Sequence, residues 1–419
     1  EIPGSWRNVL RDVRVASEEL QTALRNRGVM VPVDGAEVLD AVFYRGQGAY
    51  VVGQLAAGDD VYPVAFCVHH TSRGLVLGAV LTHTDLSVLF SYTRSAFHVM
   101  AESPSAIVNY LLALMPNKKR AELYSTIGFR KHAKTELYAD LMRHVESTDE
   151  KFEHARGIKG MVMIVFTIPG FDVVFKIIRD RFPFPKQTTH RQVMSKYRLV
   201  FRHDRAGRLI DAQEFEQLRF DRSRFSDELL AELAADATRT VTIDEETVTL
   251  HHVYLERRVI PLDIYIREAN PVKARAAIVD YGRAIKNLAA TNIFPGDMLL
   301  KNFGITRSGR VVFYDYDEIT QLTRCKFREM PETDNPTDEM SADPWFGVGD
   351  DDVFPEEFPR FLGLREELRD VFNYHHSDLF GVRFWQRAQE RVNGGEFIEI
   401  FPYERHRRLG ARRQRRTGV

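Results

Sequence analysis

Hydrophobic and polar residues follow two different periods in the first third of this 419-residue chain. Between residues 39 and 89, short runs of Val, Leu, Tyr and Ala are broken by Gly and Asp, which predicts β-strands joined by turns. In the segments 105–115 and 133–145 the apolar positions recur at helical spacing, which predicts helices. A mixed α/β domain is therefore expected at the start of the chain.

Strand-like and helix-like patterns then succeed one another beyond residue 150. The segments 161–168 and 173–178 are apolar runs separated by the turn Pro169-Gly170, which predicts two neighbouring strands. The other predicted elements are a helix at 189–201, a strand at 248–255, a helix at 278–288 and a short strand at 311–314.

The segment 294–302 carries the most informative motif, because Asp297 is followed five residues later by Asn302. In a protein-kinase catalytic loop, the Asp accepts the substrate hydroxyl proton and the Asn holds a metal ion. A further Asp, after the next strand, binds Mg²⁺ in such enzymes, and Asp315 has this position. The sequence therefore predicts Asp297 as catalytic base and Asn302 and Asp315 as metal ligands.

Two departures from the usual kinase pattern surround these residues. Pro295 and Gly296 stand where His and Arg normally precede the catalytic Asp, and Asp317 stands where Gly is usual. An acidic turn between two core elements would explain the segment 294–302 or the segment 311–317 taken alone. The two segments together, in the right order, favour a phosphotransferase.

A glycine loop and a strand lysine are expected upstream of such a centre. The segment 155–161 contains Gly157 and Gly160, which would let backbone N–H groups approach phosphate, although a hairpin turn explains two glycines about as well. Lys176 is a stronger signal, because an ammonium in an apolar strand needs an anionic partner.

The partner of Lys176 is less evident from the sequence. A kinase supplies a Glu from the next helix, but the predicted helix 189–201 contains no acid. Asp211, Glu214 or Glu216, just beyond it, is expected to take that place. The hinge that contacts adenine is expected at 256–262.

This order of elements is that of a two-lobed protein kinase. The predicted fold class is α+β, with a kinase-like catalytic domain at 151–419 preceded by a mixed α/β regulatory domain at 1–150. The N-lobe is expected at about 151–257 and the C-lobe at about 258–419.

Composition narrows the class of protein further. The chain has 58 Lys and Arg against 59 Asp and Glu, and this balance argues against a nucleic-acid partner. Cys67 and Cys325 are the two cysteines and provide no disulfide framework. No apolar run reaches the length of a membrane span or a signal peptide. A cytoplasmic enzyme without a membrane partner is expected.

The chain resembles the isocitrate dehydrogenase kinase/phosphatase family of bacterial bifunctional enzymes. The resemblance is carried by residues 109–115, 121–135, 155–171 and 292–319. It implies a protein kinase that phosphorylates isocitrate dehydrogenase on a serine, removes that phosphate, and hydrolyses ATP. Such an enzyme controls flux between the tricarboxylic acid cycle and the glyoxylate bypass. The implied cofactors are ATP or ADP with Mg²⁺ or Mn²⁺, and AMP is the implied allosteric effector.

The resemblance also assigns site residues by position. Lys176 matches the ATP-binding lysine, and Asp297, Asn302 and Asp315 match the catalytic base and metal ligands. Asp211 matches an active-site acid linked to dephosphorylation, whereas the residues alone indicate a solvated loop acid. The matching ATP-binding segment comprises Ala155, Arg156, Gly157, Ile158, Lys159, Gly160 and Met161.

No Cys-x5-Arg loop or other phosphatase signature is visible, so both reactions are expected to use one nucleotide- and Mg²⁺-loaded site. Dephosphorylation would then need ADP or ATP, with water activated by Asp211 or Asp297. This hypothesis fails if a Lys176 variant that cannot bind nucleotide keeps the full phosphatase rate.

Two alternative functions stay open at this point. One is a small-molecule kinase of the aminoglycoside-phosphotransferase type, and the other is a nucleotide-sensing pseudokinase. The oligomeric state is also open, with a homodimer as one candidate. Because residue 1 is Glu and the family usually has a longer helical N-terminal region, the chain is expected to begin partway through the regulatory domain.

Two further segments have alternative interpretations. The acidic, Pro-rich stretch 331–359 contains Trp345, Phe346 and Phe354. It is either a solvated surface loop or a substrate-recognition loop with aromatic anchors. The basic tail 405–416 is expected to be disordered, with contact to an acidic partner surface as the alternative.

Overall fold

The computed structural model describes residues 2, 4–91, 96–202, 205, 207–331, 346–403 and 407–409. They form two compact units. The first contains Glu1–Arg143 and the segment from Glu399 onward, which the sequence pattern places in the C-lobe, and the second contains His144–Ile398. Part of the acidic stretch, Trp345 included, and most of the basic tail lie outside the described residues.

The first unit is built around a six-stranded antiparallel sheet. Its strands are β1 (Gly35–Val38), β2 (Phe43–Arg45), β3 (Gly48–Ala57), β4 (Asp60–Thr71), β5 (Gly74–Thr82) and β6 (His98–Val99). Its helices are α1 (Val9–Arg25), α2 (Thr84–Leu89), α3 (Pro104–Leu114), α4 (Arg120–Thr126) and the start of α5 (Arg130–Ser147). The strand order is β5-β4-β3-β2-β6, with β1 paired to β3. The strands predicted within 39–89 and the helices predicted at 105–115 and 133–145 are confirmed.

Aromatic side chains fill the core of this unit. Phe43, Tyr50 and Phe97 are buried, and Phe97 meets the other two rings edge to face. The end of the chain contributes to the same core, because the buried Tyr403 hydroxyl lies 2.7 Å from Nε2 of His69. The unit therefore joins residues that are more than 300 positions apart in the sequence.

The N-terminal half of the second unit contains another six-stranded antiparallel sheet. Its strands are β7 (Glu153–His154), β8 (Met163–Thr167), β9 (Val173–Ile178), β10 (Ala212–Asp221), β11 (Val241–Ile243) and β12 (Thr247–Arg257), and its helices are α6 (His190–Arg202) and α7 (Asp227–Asp236). The order is β10-β12-β9-β8-β7, and β11 pairs with β12. The predicted strands β8, β9 and β12 and the predicted helix α6 are confirmed, whereas β10 and α7 are elements that the hydrophobic pattern did not predict.

The C-terminal half is mainly helical. Its helices are α8 (Leu262–Glu268), α9 (Pro271–Ala290), α10 (Phe358–Phe361), α11 (Glu366–His376) and α12 (Val382–Asn393). Its short strands are β13 (Ile260–Pro261), β14 (Ile293–Phe294), β15 (Phe303–Ile305), β16 (Val311–Phe313), β17 (Thr320–Gln321), β18 (Lys326–Phe327) and β19 (Asp352–Val353). The predicted helix through 278–288 is confirmed as part of α9. Across the described helices of both units, none has the length and apolar character needed to cross a bilayer.

Helix α9 is the central element of this half. Asn270 caps its first turn through a 2.9 Å bond from the Lys273 N–H, and a proline follows the cap. Gly282 lies where α11 approaches, since a Cβ there would lie 2.1 Å from the ring of the buried His376. The imidazole fills the space above the glycine and hydrogen-bonds the Val279 carbonyl at 2.9 Å. A small residue in α9 therefore determines how closely the two helices pack.

A buried ion pair connects α9 to β16. The Arg208 guanidinium binds both carboxylate oxygens of Asp280, at 2.7 and 2.8 Å. Asp280 also accepts the Val311 N–H at 2.8 Å, and Arg208 donates to the Val311 carbonyl at 2.9 Å. Burial alone would raise the pKa of Asp280, but Arg208 outweighs it and lowers that pKa to about 2. The pair thus orients the strand that precedes Asp315.

We expect Asp280→Ala to lower the free energy of unfolding by about 3–5 kcal/mol at neutral pH, because the Arg208 guanidinium would stay buried without its carboxylate. The folded-state pKa of Asp280 lies below its ordinary value of 3.8, so this contribution is fully present above that value. It is lost as the pH falls towards 2, the folded-state pKa. Urea denaturation of both proteins at several pH values measures the difference.

Asp378→Ala is the matched control, because Asp378 pairs with Lys286 of the same helix at 2.6 Å on the surface. Exposed pairs contribute about 1 kcal/mol or less, so the control is expected to change stability little. Equal losses in the two variants would contradict the role of the buried pair. So would an Asp280→Ala effect that stays constant down to about pH 3.

Candidate active site

A cleft of about 400 Å³ lies within the second unit, between the segment 155–161 and the loop that contains Asp297. Its volume falls in the range of roughly 300–1,000 Å³ that small-molecule sites occupy. Lys176, Asn302 and Asp315 line the same cleft, together with every residue of 155–161. The structure therefore brings together the sequence-predicted nucleotide, base and metal residues, with the exception of Asp211.

Glycine at position 296 allows the Asp297 loop to pack against the segment that follows Asp315. Gly296 has φ of +79°, a conformation that side chains rarely adopt. A Cβ at this position would lie 2.6 Å from both the Cβ and the carbonyl oxygen of Glu318. The departure from the usual His-Arg pair therefore has a local reason, because the larger residues would not fit this turn.

The environment of Asp297 suits a proton acceptor. Burial raises the pKa of Asp297 above its ordinary value, and the Asp315 charge adds to the rise. The Leu299 N–H, which donates to Oδ1 at 3.1 Å, opposes it. A carboxylate with a raised pKa accepts a proton more readily near neutral pH. Asn302 is tied to the same loop, since its side-chain amide donates to the Asp297 carbonyl at 3.4 Å.

Two carboxylates follow β16 at the cleft wall. The Tyr314 N–H donates to the Asn302 carbonyl at 3.1 Å, so the end of the strand lies beside Asn302. Burial, and then the Asp315 charge, raise the pKa of Asp317 well above its ordinary value. In the described part of the chain, Oδ1 of Asp317 is buried without a hydrogen-bond partner. A cation bound next to these carboxylates would stabilise their charged forms.

The donor set fits Mg²⁺ or Mn²⁺ bound together with a phosphorylated ligand. Mg²⁺ is usually held by one or two protein carboxylates and by phosphate oxygens. Asn302, Asp315 and Asp317 offer oxygen donors of this kind in one wall of the cleft. The described residues contain no group of three or more His, Cys, Asp or Glu side chains that could hold a metal ion. Phosphate oxygens and water would complete the coordination shell.

The anionic partner of Lys176 is Glu256, at the end of β12. The Lys176 ammonium lies 2.8 Å from Oε2 of Glu256 and donates to the Tyr314 carbonyl at 2.7 Å. Both side chains of the pair are almost fully buried, with exposed fractions of 6% and 1%. Helix α6 reaches the pair through Tyr197, whose hydroxyl donates to Oε1 of Glu256 at 3.2 Å. Burial raises the pKa of Glu256, although Lys176 opposes that shift.

The expectation that Asp211, Glu214 or Glu216 pairs with Lys176 is wrong. These acids lie on or beside β10, and β12 separates β10 from the lysine strand β9. Neighbouring strands are about 4.8 Å apart, so an acid on β10 is two strand spacings from Lys176. Glu214 instead binds Nε2 of His252 at 2.6 Å. The partner comes from the adjacent strand because β12 pairs directly with β9.

Both glycines of 155–161 are required by the backbone. Gly157 has φ of +127°, and a Cβ on Gly160 would lie 2.8 Å from the Met163 carbonyl oxygen. Other residues would strain the loop at these two positions. The loop can therefore bring its backbone N–H groups close to a bound anion.

Asp211 is absent from the residues that line the cleft. It directly precedes β10, and the Gln213 side chain donates to its Oδ2 at 3.3 Å. The preceding residue, Ile210, is tied to the end of β16, because its N–H donates to the Phe313 carbonyl at 3.2 Å and its carbonyl accepts the Tyr316 hydroxyl at 2.8 Å. Asp211 thus starts from a backbone segment that is anchored beside the strand that precedes Asp315.

Several cleft residues had no place in the sequence-based prediction of the site. Glu256 is an acid that directly follows the apolar run 253–255 near the end of β12, which is a usable signal for a buried partner. Lys301 belongs to the Asp297 loop itself. Three further charged side chains come from distant parts of the sequence, and no spacing rule connects them to Asp297: Arg179, Lys186 and Glu232. Their presence makes the cleft densely charged.

We expect Glu256→Gln to weaken the binding of a non-hydrolysable ATP analogue by about tenfold, which corresponds to about 1.4 kcal/mol. The amide would still contact Lys176, but without a charge it would orient the ammonium less firmly. Isothermal titration calorimetry measures the dissociation constant. Tyr197→Phe, which removes one hydrogen bond to Glu256, is expected to have a smaller effect. An unchanged constant for a folded Glu256→Gln protein would contradict this role.

Comparison with known proteins identifies both parts of the chain. Residues 2–149 match the regulatory domain of isocitrate dehydrogenase kinase/phosphatase (AceK), and residues 150–405 match its kinase domain. A solved structure titled ROP18 kinase domain in complex with AMP-PNP and sucrose is 12% identical and covers 73% of this chain and 98% of its own. Its TM-score of 0.29 is too low to support an argument.

Two relatives are named isocitrate dehydrogenase kinase/phosphatase. The protein of Anaeromyxobacter sp. (strain Fw109-5) is 52% identical over 405 residues, which are 96% of this chain and 70% of the relative. The protein of Anaeromyxobacter dehalogenans (strain 2CP-C) is 48% identical over 421 residues, which are 97% of this chain and 72% of the relative. The fold is thus a kinase-like catalytic domain preceded by a regulatory domain, and the chain belongs to the isocitrate dehydrogenase kinase/phosphatase family.

Proposed function

We propose that this protein transfers the γ-phosphoryl group of ATP to a serine of isocitrate dehydrogenase and also removes it. The observation that carries the proposal is the meeting of Lys176, Asp297, Asn302 and Asp315 in one cleft under a glycine loop. The names of the relatives supply the protein substrate. Through this substrate the enzyme would control entry into the glyoxylate bypass.

In the kinase direction, Asp297 would accept the proton of the substrate serine as its oxygen attacks the γ-phosphorus. A new bond forms between that oxygen and phosphorus, the bond to the bridging oxygen breaks, and ADP leaves. Lys176, held by Glu256, would bind the α- and β-phosphates. The backbone of 155–161 would cover the phosphates and exclude water.

Asn302 and Asp315 would hold Mg²⁺ or Mn²⁺, with Asp317 close by. When bound, such an ion neutralises phosphate charge and aligns the reacting oxygens. Without it, three nearby acids, Asp297, Asp315 and Asp317, would repel a nucleotide. Burial, together with the Asp315 charge, raises the pKa values of Asp297 and Asp317. The acid cluster is therefore suited to a nucleotide that arrives with its cation.

In the phosphatase direction, water would attack the phosphoserine in the same cleft, and the serine oxygen would leave with a proton. Asp211 or Asp297 would activate that water. Ile210 is hydrogen-bonded to Phe313 and Tyr316, which supports a position for Asp211 beside β16, the strand that precedes Asp315. AMP as an effector, a homodimer and a cytoplasmic location stay predictions.

We expect Asp297→Asn to lower the rate of serine phosphorylation by about 10²–10⁴-fold, the usual contribution of a general base. Binding of an ATP analogue should change little, because the lysine and the glycine loop are untouched. Transfer of label from γ-labelled ATP to isocitrate dehydrogenase measures the rate, with the exposed Asp370→Asn as control. Label on a metabolite in place of the dehydrogenase would favour a small-molecule kinase, and nucleotide binding without any transfer would favour a pseudokinase.

Asp211→Ala is expected to slow removal of phosphate from the phosphorylated dehydrogenase while leaving its phosphorylation nearly unchanged. Phosphorylation should change little because Asp211 lies outside the residues that line the nucleotide cleft. The slower dephosphorylation is expected because the family resemblance links this acid to that reaction. Release of phosphate in the presence of ADP and AMP, compared with phosphorylation in a separate assay, measures both rates. Parallel losses of the two activities would contradict a separate role for Asp211.

A further inference from the structure

Glu232 of helix α7 contacts the segment 155–161 and two side chains that flank it. Arg179 Nη2 lies 2.5 Å from its Oε1, and Lys159 Nζ lies 3.2 Å from its Oε2. His154 Nε2 also contacts Oε2. Two of these three partners belong to the loop or directly precede it, so one side chain of α7 contacts both ends of the loop.

Arg179 extends this attachment to the backbone. Its Nε donates to the Gly160 carbonyl at 3.1 Å, and its Nη1 binds Asp236 at the end of α7 at 2.5 Å. The Arg179 N–H also donates to the Val162 carbonyl at 2.9 Å. Arg179 is buried, with 8% exposure, so its geometry is well defined by these partners. The second glycine of the loop is therefore fixed to α7 through a guanidinium.

The contact on the opposite side of the loop is weaker. Arg156 binds Glu268 of α8 at 2.6 Å, but their side chains are 69% and 56% exposed. Exposed pairs of this kind are screened by solvent and contribute little. The Glu232 side chain is only 11% exposed. The buried Glu232–Arg179 pair is therefore the stronger of these two anchors.

Electrostatics keep this anchor charged at neutral pH. Burial alone would raise the pKa of Glu232, but hydrogen bonds from Arg179, His154 and Lys159 outweigh it and lower that pKa to about 2. The surrounding cations also offset the negative charge of Glu232 within the cleft. The anchor thus leaves the loop region favourable for phosphate.

We propose that Glu232 is a positioning residue that holds the segment 155–161 in its phosphate-covering conformation before nucleotide binds. The inference rests on the proposed function for the identity of the ligand, a nucleoside triphosphate. A loop that is already ordered loses less conformational entropy when the ligand arrives, so the ligand binds more tightly. Glu232 touches no reacting atom in this scheme and acts through Arg179 and Lys159.

Amide hydrogen exchange in the nucleotide-free protein tests the inference without any catalytic assay. In Glu232→Gln, the amide of Ala155, which donates to the Val165 carbonyl at 3.1 Å, is expected to exchange at least about tenfold faster than in the unchanged protein. Amides of β9 should exchange at the same rate in both. The matched control is Glu228→Gln, because Glu228 lies exposed on the same helix. Unchanged exchange in the loop overturns the proposal.

Binding of a non-hydrolysable ATP analogue with Mg²⁺ provides the second measurement. The dissociation constant is expected to rise about tenfold in Glu232→Gln and to stay unchanged in Glu228→Gln. Glu232→Asp keeps the charge and should recover part of the affinity. A Glu232→Gln protein that binds the analogue as tightly as the unchanged protein overturns the inference and leaves the proposed function intact. An unchanged protein that fails to bind the analogue overturns the proposed function, while loop exchange still reports on the anchor.

Lys159→Met is a second variant, whose loop exchange can be measured even if Glu232→Gln does not fold. Lys159 is 69% exposed, so its loss should not affect the melting temperature. Since Glu232 is inferred to act partly through Lys159, the two substitutions should be non-additive in their effect on analogue binding. Strict additivity, or loop exchange in Lys159→Met that equals that of the unchanged protein, overturns this part of the inference.

Discussion

A buried ammonium must have an anionic partner, and this constraint organises the N-terminal half of the catalytic unit. Lys176 lies in an apolar strand and meets that requirement with Glu256, which comes from the neighbouring strand β12. Tyr197 adds a hydrogen bond from helix α6, and its ring stacks on Tyr254 at 3.8 Å. Sheet, helix and cleft are thereby connected around one charge pair. Helix α6 contributes a hydroxyl at the place where a kinase normally contributes a carboxylate.

The opposite wall of the cleft carries clustered negative charges. Burial raises the pKa values of Asp297 and Asp317, and the Asp315 charge adds to both shifts. The Lys186 charge opposes both shifts, and its ammonium also pairs with Glu318. The loop geometry that allows this arrangement depends on Gly296, which makes room for the Glu318 backbone. A site built in this way favours ligands that combine negative phosphate with a cation.

Much of the fold could be predicted because its elements have strong local signals. The strands β8 and β9 are continuous apolar runs, and α9 repeats its buried residues at helical spacing. Asp297 and Asn302 could be identified because they lie five residues apart in one short loop, which is the spacing of a kinase catalytic loop. Helix α7 has local signals of another kind, an N-cap at Ser226 and acids in its first turn, which the hydrophobic pattern alone does not reveal. Strand β10 alternates with a break at Gln217, which has φ of +57°, so its period is interrupted.

The sequence by itself determined the order of the kinase elements and singled out the candidate nucleotide, base and metal residues, because these lie within short segments with defined spacing. Only the tertiary structure decided which charges meet. The pairing of Lys176 with Glu256 depends on β12 lying between β9 and β10 in the sheet, although β10 precedes β12 in the chain. Likewise, Glu232 reaches the glycine loop from a helix about 75 residues away, since long-range contacts follow strand order and helix packing.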